Sequence, residues 1–135
     1  MKLLVIALSA ALLASMSISF AQTKHGDVVA DIPFAFVVAG RTLPPGHYIV
    51  NDLHDNLGIR DPRNHGTFVQ AHSAHRPSHE TGSKLVFHRY GDTYFLSEVW
   101  ASGNSIGRAL YPSRAEQEMS ESGKEREIAV VTMDR

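Results

Sequence analysis

Three histidines that lie close together in the chain have a spacing that could hold a metal ion. His72, His75 and His79 form the pattern H-x-x-H-x-x-x-H, and neutral imidazole is a common ligand of zinc, copper and nickel. The segment 72–82 has no hydrophobic period and contains Pro77, which predicts an exposed loop without preset ligand geometry. We therefore expect no metal and no cofactor. A metal-binding loop formed by the three histidines is the alternative hypothesis.

A serine in a glycine-rich segment is the second pattern with a chemical meaning. The segment 103–107 (GNSIG) matches the G-x-S-x-G pattern of serine hydrolases, in which a strand leads into the serine and a helix follows it. Here Pro112 follows and no helical pattern begins at Ser105, so a glycine-rich turn is the better prediction. The expectation is a protein that is not an enzyme, with a small serine hydrolase as a further alternative.

His88 is the third candidate, because imidazole is suited to general base catalysis. The sequence shows no carboxylate pair or nucleophile near it, so a histidine with satisfied hydrogen bonds on a strand is the simpler prediction. No catalytic residue is therefore assigned. The glutamates of the C-terminal region are expected to be solvated charges: Glu116, Glu118, Glu121, Glu125 and Glu127.

The segment 84–100 (KLVFHRYGDTYFLSEVW) predicts a β-hairpin that carries many of the large aromatic side chains. Gly91-Asp92 between two aromatic-rich runs is a two-residue turn signal. We expect the hairpin to fill the core, and an exposed aromatic surface for a ligand is the alternative. The predicted cross-strand pairs are Arg89 with Tyr94, Phe87 with Leu96 and Leu85 with Glu98 on one face, and His88 with Phe95 and Val86 with Ser97 on the other.

Elements flanking the hairpin predict the fold class. The segment 27–38 alternates apolar and mixed positions and predicts one strand, in which Pro33 indicates an edge or a bulge. The pattern Ser113-x-x-Glu116 is a capping box and predicts a short helix over about 113–122. Short strands separated by turn signals favour a mainly β fold, either an antiparallel β-sandwich or a small β-barrel. The other predicted strands are 47–53, 57–60, 67–71 and 127–133.

The N-terminal residues predict a secretory signal peptide, residues 1–21. Lys2 gives a positive start, the segment 3–13 is nearly all apolar, and 19–21 (SFA) is the small-x-small pattern that a signal peptidase accepts. We expect cleavage after Ala21 and export to the periplasm or the cell exterior. An uncleaved membrane anchor is the alternative, although the apolar segment is shorter than the roughly 20 residues that span a bilayer.

Residues 22–135 are expected to form a single small β domain. The chain contains no cysteine, which excludes disulfides, thiol catalysis and thiolate metal sites. Its 13 basic and 14 acidic residues are interspersed, so no basic stripe exists to neutralise phosphates and nucleic acid is not an expected partner. No later segment is apolar and long enough to be a transmembrane helix.

Several of these segments together resemble a group of small exported bacterial proteins without an assigned function. The resemblance covers most of the chain after residue 21, and it implies no activity, cofactor or catalytic residue. The histidine-rich loop is not a feature of that group. The segments that carry the resemblance are 32–36 (IPFAF), 43–48 (LPPGHY) and 85–100 (LVFHRYGDTYFLSEVW).

The sequence thus predicts an exported cell-envelope protein, most simply a non-enzymatic binding or structural module. The sequence does not identify the partner, and a small ligand and an envelope component are both compatible with it. The interior or the mouth of the β structure is the expected place for it, because ligand sites are concave.

Overall fold

The computed structural model describes residues 27–133, which form one ten-stranded sheet and one short helix, α1 (Arg114–Glu121). The predicted signal peptide, residues 1–21, lies outside the described residues. The mainly β prediction with one short helix is confirmed. The strands are β1 (Val28–Ile32), β2 (Phe36–Val38), β3 (Arg41–Leu43), β4 (Gly46–Asp52), β5 (Asn56–Arg60), β6 (Gly66–His75), β7 (Ser83–Tyr90), β8 (Thr93–Trp100), β9 (Ile106–Leu110) and β10 (Arg126–Met133).

The sheet folds back on itself through the long strand β6, and its two halves enclose the core. The first part of β6 pairs with β5 in the half β1-β4-β5, whereas residues 71–75 pair with β9 in the other half. In that second half, strand β8 pairs along one of its edges with β7. Along its other edge, β8 pairs with β2 at one end and with β9 at the other. Among residues 27–133 no ladder joins β1 to β10, so the sheet is open and is not a barrel.

Pro33 divides the predicted strand 27–38 into two strands that belong to different halves of the sheet. β1 pairs with β4, whereas β2 pairs with β3 and β8. The prediction of a single strand was therefore wrong, because proline has no N–H to donate to a ladder and the chain turns there. The period of two continues across the turn, so that Ile32 and Phe36 are both buried.

One apolar cluster fills the space between the two halves. Phe87 is fully buried and its ring lies 5.6 Å from that of Phe36, which in turn contacts Tyr48 of the opposite half at 5.1 Å, both edge to face. The prediction that the hairpin 84–100 fills the core is confirmed. A ring of this size contributes about 1.5–3 kcal/mol on full burial, which matters in a domain without disulfides.

A β-bulge at Ser97 changes the register of the hairpin in its second half. The pairs Phe87–Leu96, His88–Phe95 and Arg89–Tyr94 are found as predicted. The predicted pairs of Leu85 and Val86 were wrong, because Ser97 is an extra residue without a partner in the ladder. The observed pairs beyond the bulge are Val86 with Glu98 and Leu85 with Val99.

Arg76 ties together the two loops at one end of the second half. Its guanidinium donates to three backbone carbonyls, those of Gly82 (2.8 Å), Asn104 (2.9 Å) and Ala101 (3.1 Å). It also lies 5.1 Å from the ring centre of Trp100. Because Arg76 is only 9% exposed, these charge-assisted hydrogen bonds hold loops that have few apolar contacts of their own.

Replacing Arg76 by alanine is expected to lower the free energy of unfolding by about 3 kcal/mol, because three carbonyls lose a charged donor. Arg76→Lys should fall between alanine and wild type, since an ammonium lacks the planar fork. Urea denaturation followed by tryptophan fluorescence measures both, with the exposed Arg63→Ala as the control. Equal midpoints for Arg76→Ala and Arg63→Ala would contradict this role.

Candidate functional site

The face of β7 and β8 that points away from the core, here called the outer face, carries the polar chemistry of this domain. His88 and Phe95 are paired across the two strands on this face, and the ring of Phe95 contacts that of Tyr90 edge to face at 5.8 Å. Helix α1 lies over this face, where Glu116 reaches His88. The helix therefore covers part of the outer face, where Glu116 meets His88.

Three polar side chains meet on the outer face and are named the Ser97–His88–Glu116 cluster. The Glu116 carboxylate lies 2.8 Å from Nδ1 of His88, and the Ser97 hydroxyl lies 3.1 Å from Nε2 of the same ring. Ser97 is 9% exposed and Glu116 6% exposed. Both nitrogens of one imidazole are thus hydrogen-bonded within a nearly buried site.

The partners of His88 determine how its ring is oriented. A carboxylate only accepts hydrogen bonds, so Nδ1–H donates to Glu116. The other nitrogen, Nε2, then accepts from the Ser97 hydroxyl when the ring is neutral. The order acid, imidazole, hydroxyl is the one found in serine nucleophile sites.

The predicted helix start is confirmed, but Glu116 has a different role from the predicted one. The Ser113 hydroxyl accepts from the backbone N–H of Glu116 at 3.2 Å, as an N-cap should. The Glu116 carboxylate contacts His88 and not the N-cap backbone. The expectation that Glu116 is a solvated charge was wrong, because the helix turns this side chain toward the sheet.

A partly open cavity of about 320 Å³ lies beside the cluster and is named the cluster cavity. All three residues of the cluster line it, together with the β2–β3 turn and the segment that leads into α1. Its walls are mostly apolar, with Val38, Phe95 and Leu110 among them. Its size falls within the range of small-molecule sites, about 300–1,000 Å³.

A larger cavity of about 560 Å³ lies on the β4-β5-β6 side of the molecule. Three of its polar side chains already have partners: Asp52 accepts two hydrogen bonds from Arg108, at 3.0 and 3.1 Å, and the Arg60 Nε donates to Asn51 at 3.4 Å. It offers no buried polar cluster comparable to that of the cluster cavity. The smaller cavity is therefore the better candidate site.

The three histidines of the predicted loop are not brought together. The segment 72–75 belongs to strand β6, so the loop prediction was wrong for these residues. His72 and His75 point to opposite faces of the strand because they are three residues apart. His72 contacts the Tyr111 ring at 4.6 Å, and His79 lies in the turn that follows. Residues 27–133 contain no group of three His, Cys, Asp or Glu placed to hold a metal ion.

Ser105 lies in an exposed bend that precedes β9, where its carbonyl accepts from the backbone N–H of Arg76. The glycine pattern around it has a packing explanation. A Cβ at Gly107 would lie 2.4 Å from the Trp100 ring and 2.7 Å from the Val99 carbonyl oxygen. Gly103 has a φ of 78° in the turn, a conformation that suits glycine.

Burial and charge act together on Tyr90, which lies beside the cluster. Burial raises the pKa of the Tyr90 hydroxyl, and the nearby Glu116 carboxylate raises the pKa further, against smaller opposite effects of Arg126 and Ser120. The neutral phenol is therefore favoured in the folded state.

Comparisons with protein-family models, with curated proteins and with solved structures find no match for this chain. No helix in residues 27–133 is both long and apolar enough to cross a membrane. The geometry of the cluster and of its cavity is therefore the basis for assigning a function.

Ser97 and Glu116 were missed as candidate site residues by the sequence reasoning. The predicted register did place His88 and Ser97 on the same face of the hairpin, so two of the three members of the cluster had a local signal. Glu116 is 28 residues from His88 in the chain, and its contact depends on where α1 packs.

Replacing Gly107 by alanine is expected to destabilise the domain by about 3 kcal/mol, because neither the Trp100 ring nor the strand backbone can move away easily. Gly82→Ala is the matched control, since a Cβ at Gly82 meets no atom within 4 Å. Thermal unfolding of both variants measures the difference. A Gly107→Ala midpoint equal to that of the control would refute the packing explanation.

Stability should fall as the pH rises above about 10, the ordinary pKa of tyrosine. There the unfolded chain loses protons that buried Tyr90 and Tyr48 retain, because burial raises the pKa of both. Tyr90→Phe is expected to make this fall shallower. The free energy of unfolding in urea, measured between pH 8 and 11, tests this expectation. Tyr111→Phe is the control, because Tyr111 is exposed. An unchanged slope in Tyr90→Phe would count against the effect.

Proposed function

We propose that this protein binds a small molecule in the cluster cavity, with the apolar part of the ligand against the walls and a polar head at the Ser97–His88–Glu116 cluster. The observation that carries the proposal is the convergence of three nearly buried polar side chains at an apolar cavity of about 320 Å³. Apolar walls supply affinity and a few fixed polar groups supply orientation, which is the usual design of a ligand site.

The charge of the cluster cavity favours an uncharged ligand head over an anionic one. Glu116 places a carboxylate at the cavity, and neither lysine nor arginine is among the residues that the structure places in its lining. A ligand carboxylate would therefore meet a like charge without a cation to compensate. Alcohols, amides and esters fit this environment, because they can donate to or accept from His88 and Ser97.

The biological setting that we propose is the cell envelope, after export and removal of residues 1–21. The support is the signal-peptide pattern and the resemblance to small exported bacterial proteins described above. A binding or structural module accounts for a domain that has a full core and a cavity lined by a polar cluster. Binding in the cluster cavity requires no turnover and no metal.

Hexanamide and hexanoate, which share the alkyl chain and differ in head-group charge, test the ligand chemistry on residues 22–135. Hexanamide should shift amide NMR signals around the cluster cavity with a millimolar Kd, as expected for so few atoms. Hexanoate should bind at least tenfold more weakly. Equal affinities, or no shifts with either compound, would refute the proposed head-group preference or the site itself.

Two exposed apolar residues provide a matched pair of variants for locating the ligand. Phe68 lines both cavities and Leu53 lines only the larger one. Phe68→Ala should weaken hexanamide binding about fivefold through lost apolar contact, and Leu53→Ala should leave it unchanged. Weaker binding in Leu53→Ala would place the ligand in the larger cavity and overturn the assignment.

A further inference from the structure

The hydroxyl at the cluster cavity has the surroundings of a nucleophile. The Ser97 hydroxyl lies 3.1 Å from Nε2 of His88, and the Glu116 carboxylate lies 2.8 Å from Nδ1 of the same ring. A serine becomes reactive when an adjacent base can take its proton and a third group orients that base. The cluster holds all three parts in the required order.

We infer that Ser97 is a nucleophile toward uncharged acyl esters, with His88 as its general base and Glu116 as the group that orients His88. This inference rests on the binding proposed above, because the ester must occupy the cluster cavity for its carbonyl to reach the hydroxyl. It adds a chemical activity to a site so far assigned only to binding.

The β-bulge places Ser97 outside the regular β7–β8 pairing. Ser97 has no partner in the β7–β8 ladder, and the next residue, Glu98, pairs with Val86. An extra residue of this kind redirects its side chain, and bulges of this kind are common beside active sites. Ser97 also lines the cluster cavity, the space in which a ligand would lie.

The transfer step balances with groups that are present and water. The Ser97 oxygen forms a bond to the carbonyl carbon while its proton moves to Nε2 of His88, and the carbonyl oxygen becomes an oxyanion. The Glu116 carboxylate holds Nδ1–H and compensates the imidazolium charge. The ester C–O bond then breaks, the leaving oxygen takes the proton from Nε2, and the acyl group remains on Ser97.

Water completes the reaction by the same proton route. A water molecule attacks the acyl carbon and gives a proton to Nε2, and the bond between the acyl group and Ser97 breaks as that proton returns to the serine oxygen. The products are the carboxylic acid and free Ser97. The apolar walls and the absence of lysine and arginine from the described lining favour a short, uncharged aliphatic acyl group.

An alkyl fluorophosphonate tests the nucleophile directly on residues 22–135. Its phosphorus bonds to a reactive serine oxygen and fluoride leaves, so one adduct should appear in the intact mass and map to Ser97. p-Nitrophenyl butyrate should be hydrolysed in parallel, above the rate with heat-unfolded protein. Both readouts report reactivity and would not respond to a merely structural hydrogen-bond cluster.

Four variants separate nucleophile, base and orienting group. Ser97→Ala and His88→Gln should abolish the adduct, and Glu116→Gln should slow its formation at least tenfold. Ser105→Ala is the matched control, because Ser105 is an exposed serine in the G-x-S-x-G segment, and it should label like wild type. Circular dichroism melts establish that each variant is folded before labelling.

The outcomes distinguish this inference from the binding proposal. If hexanamide binds to the wild type but no adduct forms, Ser97 is not a nucleophile and the binding site stands. If neither binding nor labelling occurs, both proposals fail. An adduct that maps to Ser105 or another serine, or that persists in folded Ser97→Ala, would also overturn the inference.

Discussion

The β-bulge at Ser97 is the local constraint on which both faces of the second half of the sheet depend. Without an extra residue, the alternation set by Leu96 would turn Glu98 inward and Val99 outward. With it, Val99 returns to the core and pairs with Leu85, and Ser97 and Glu98 remain outside. One inserted residue therefore keeps the charge of Glu98 out of the core, while Ser97 stays on the same face as His88.

Helix α1 converts this arrangement into a site. Its N-cap Ser113 fixes the first turn, and the side chain of Glu116 then reaches the outer face of β7. A nearly buried carboxylate is costly unless it is hydrogen-bonded, and His88 provides the hydrogen bond. The same contact holds the helix over the sheet, so stability and the geometry of the cluster depend on each other.

The cluster cavity and the larger cavity show that volume alone is a poor guide to function. In the larger one, the lining residue Asp52 already pairs with Arg108, which lies outside the lining. The smaller one adjoins polar groups held in fixed orientations by a strand, a bulge and a helix. Preorganised groups of this kind can act on a ligand without first being ordered.

The sequence by itself determined the features that depend on neighbouring residues. The Gly91-Asp92 turn, the first three cross-strand pairs, the Ser113 cap and the mainly β fold follow from turn chemistry, period-two alternation and capping, all local effects. Only the tertiary structure decided the turn at Pro33 between the two halves, the bulge at Ser97 and the contact of Glu116 with His88. These features depend on which surfaces, distant in the sequence, pack together. No short segment contains the contacts that determine this packing.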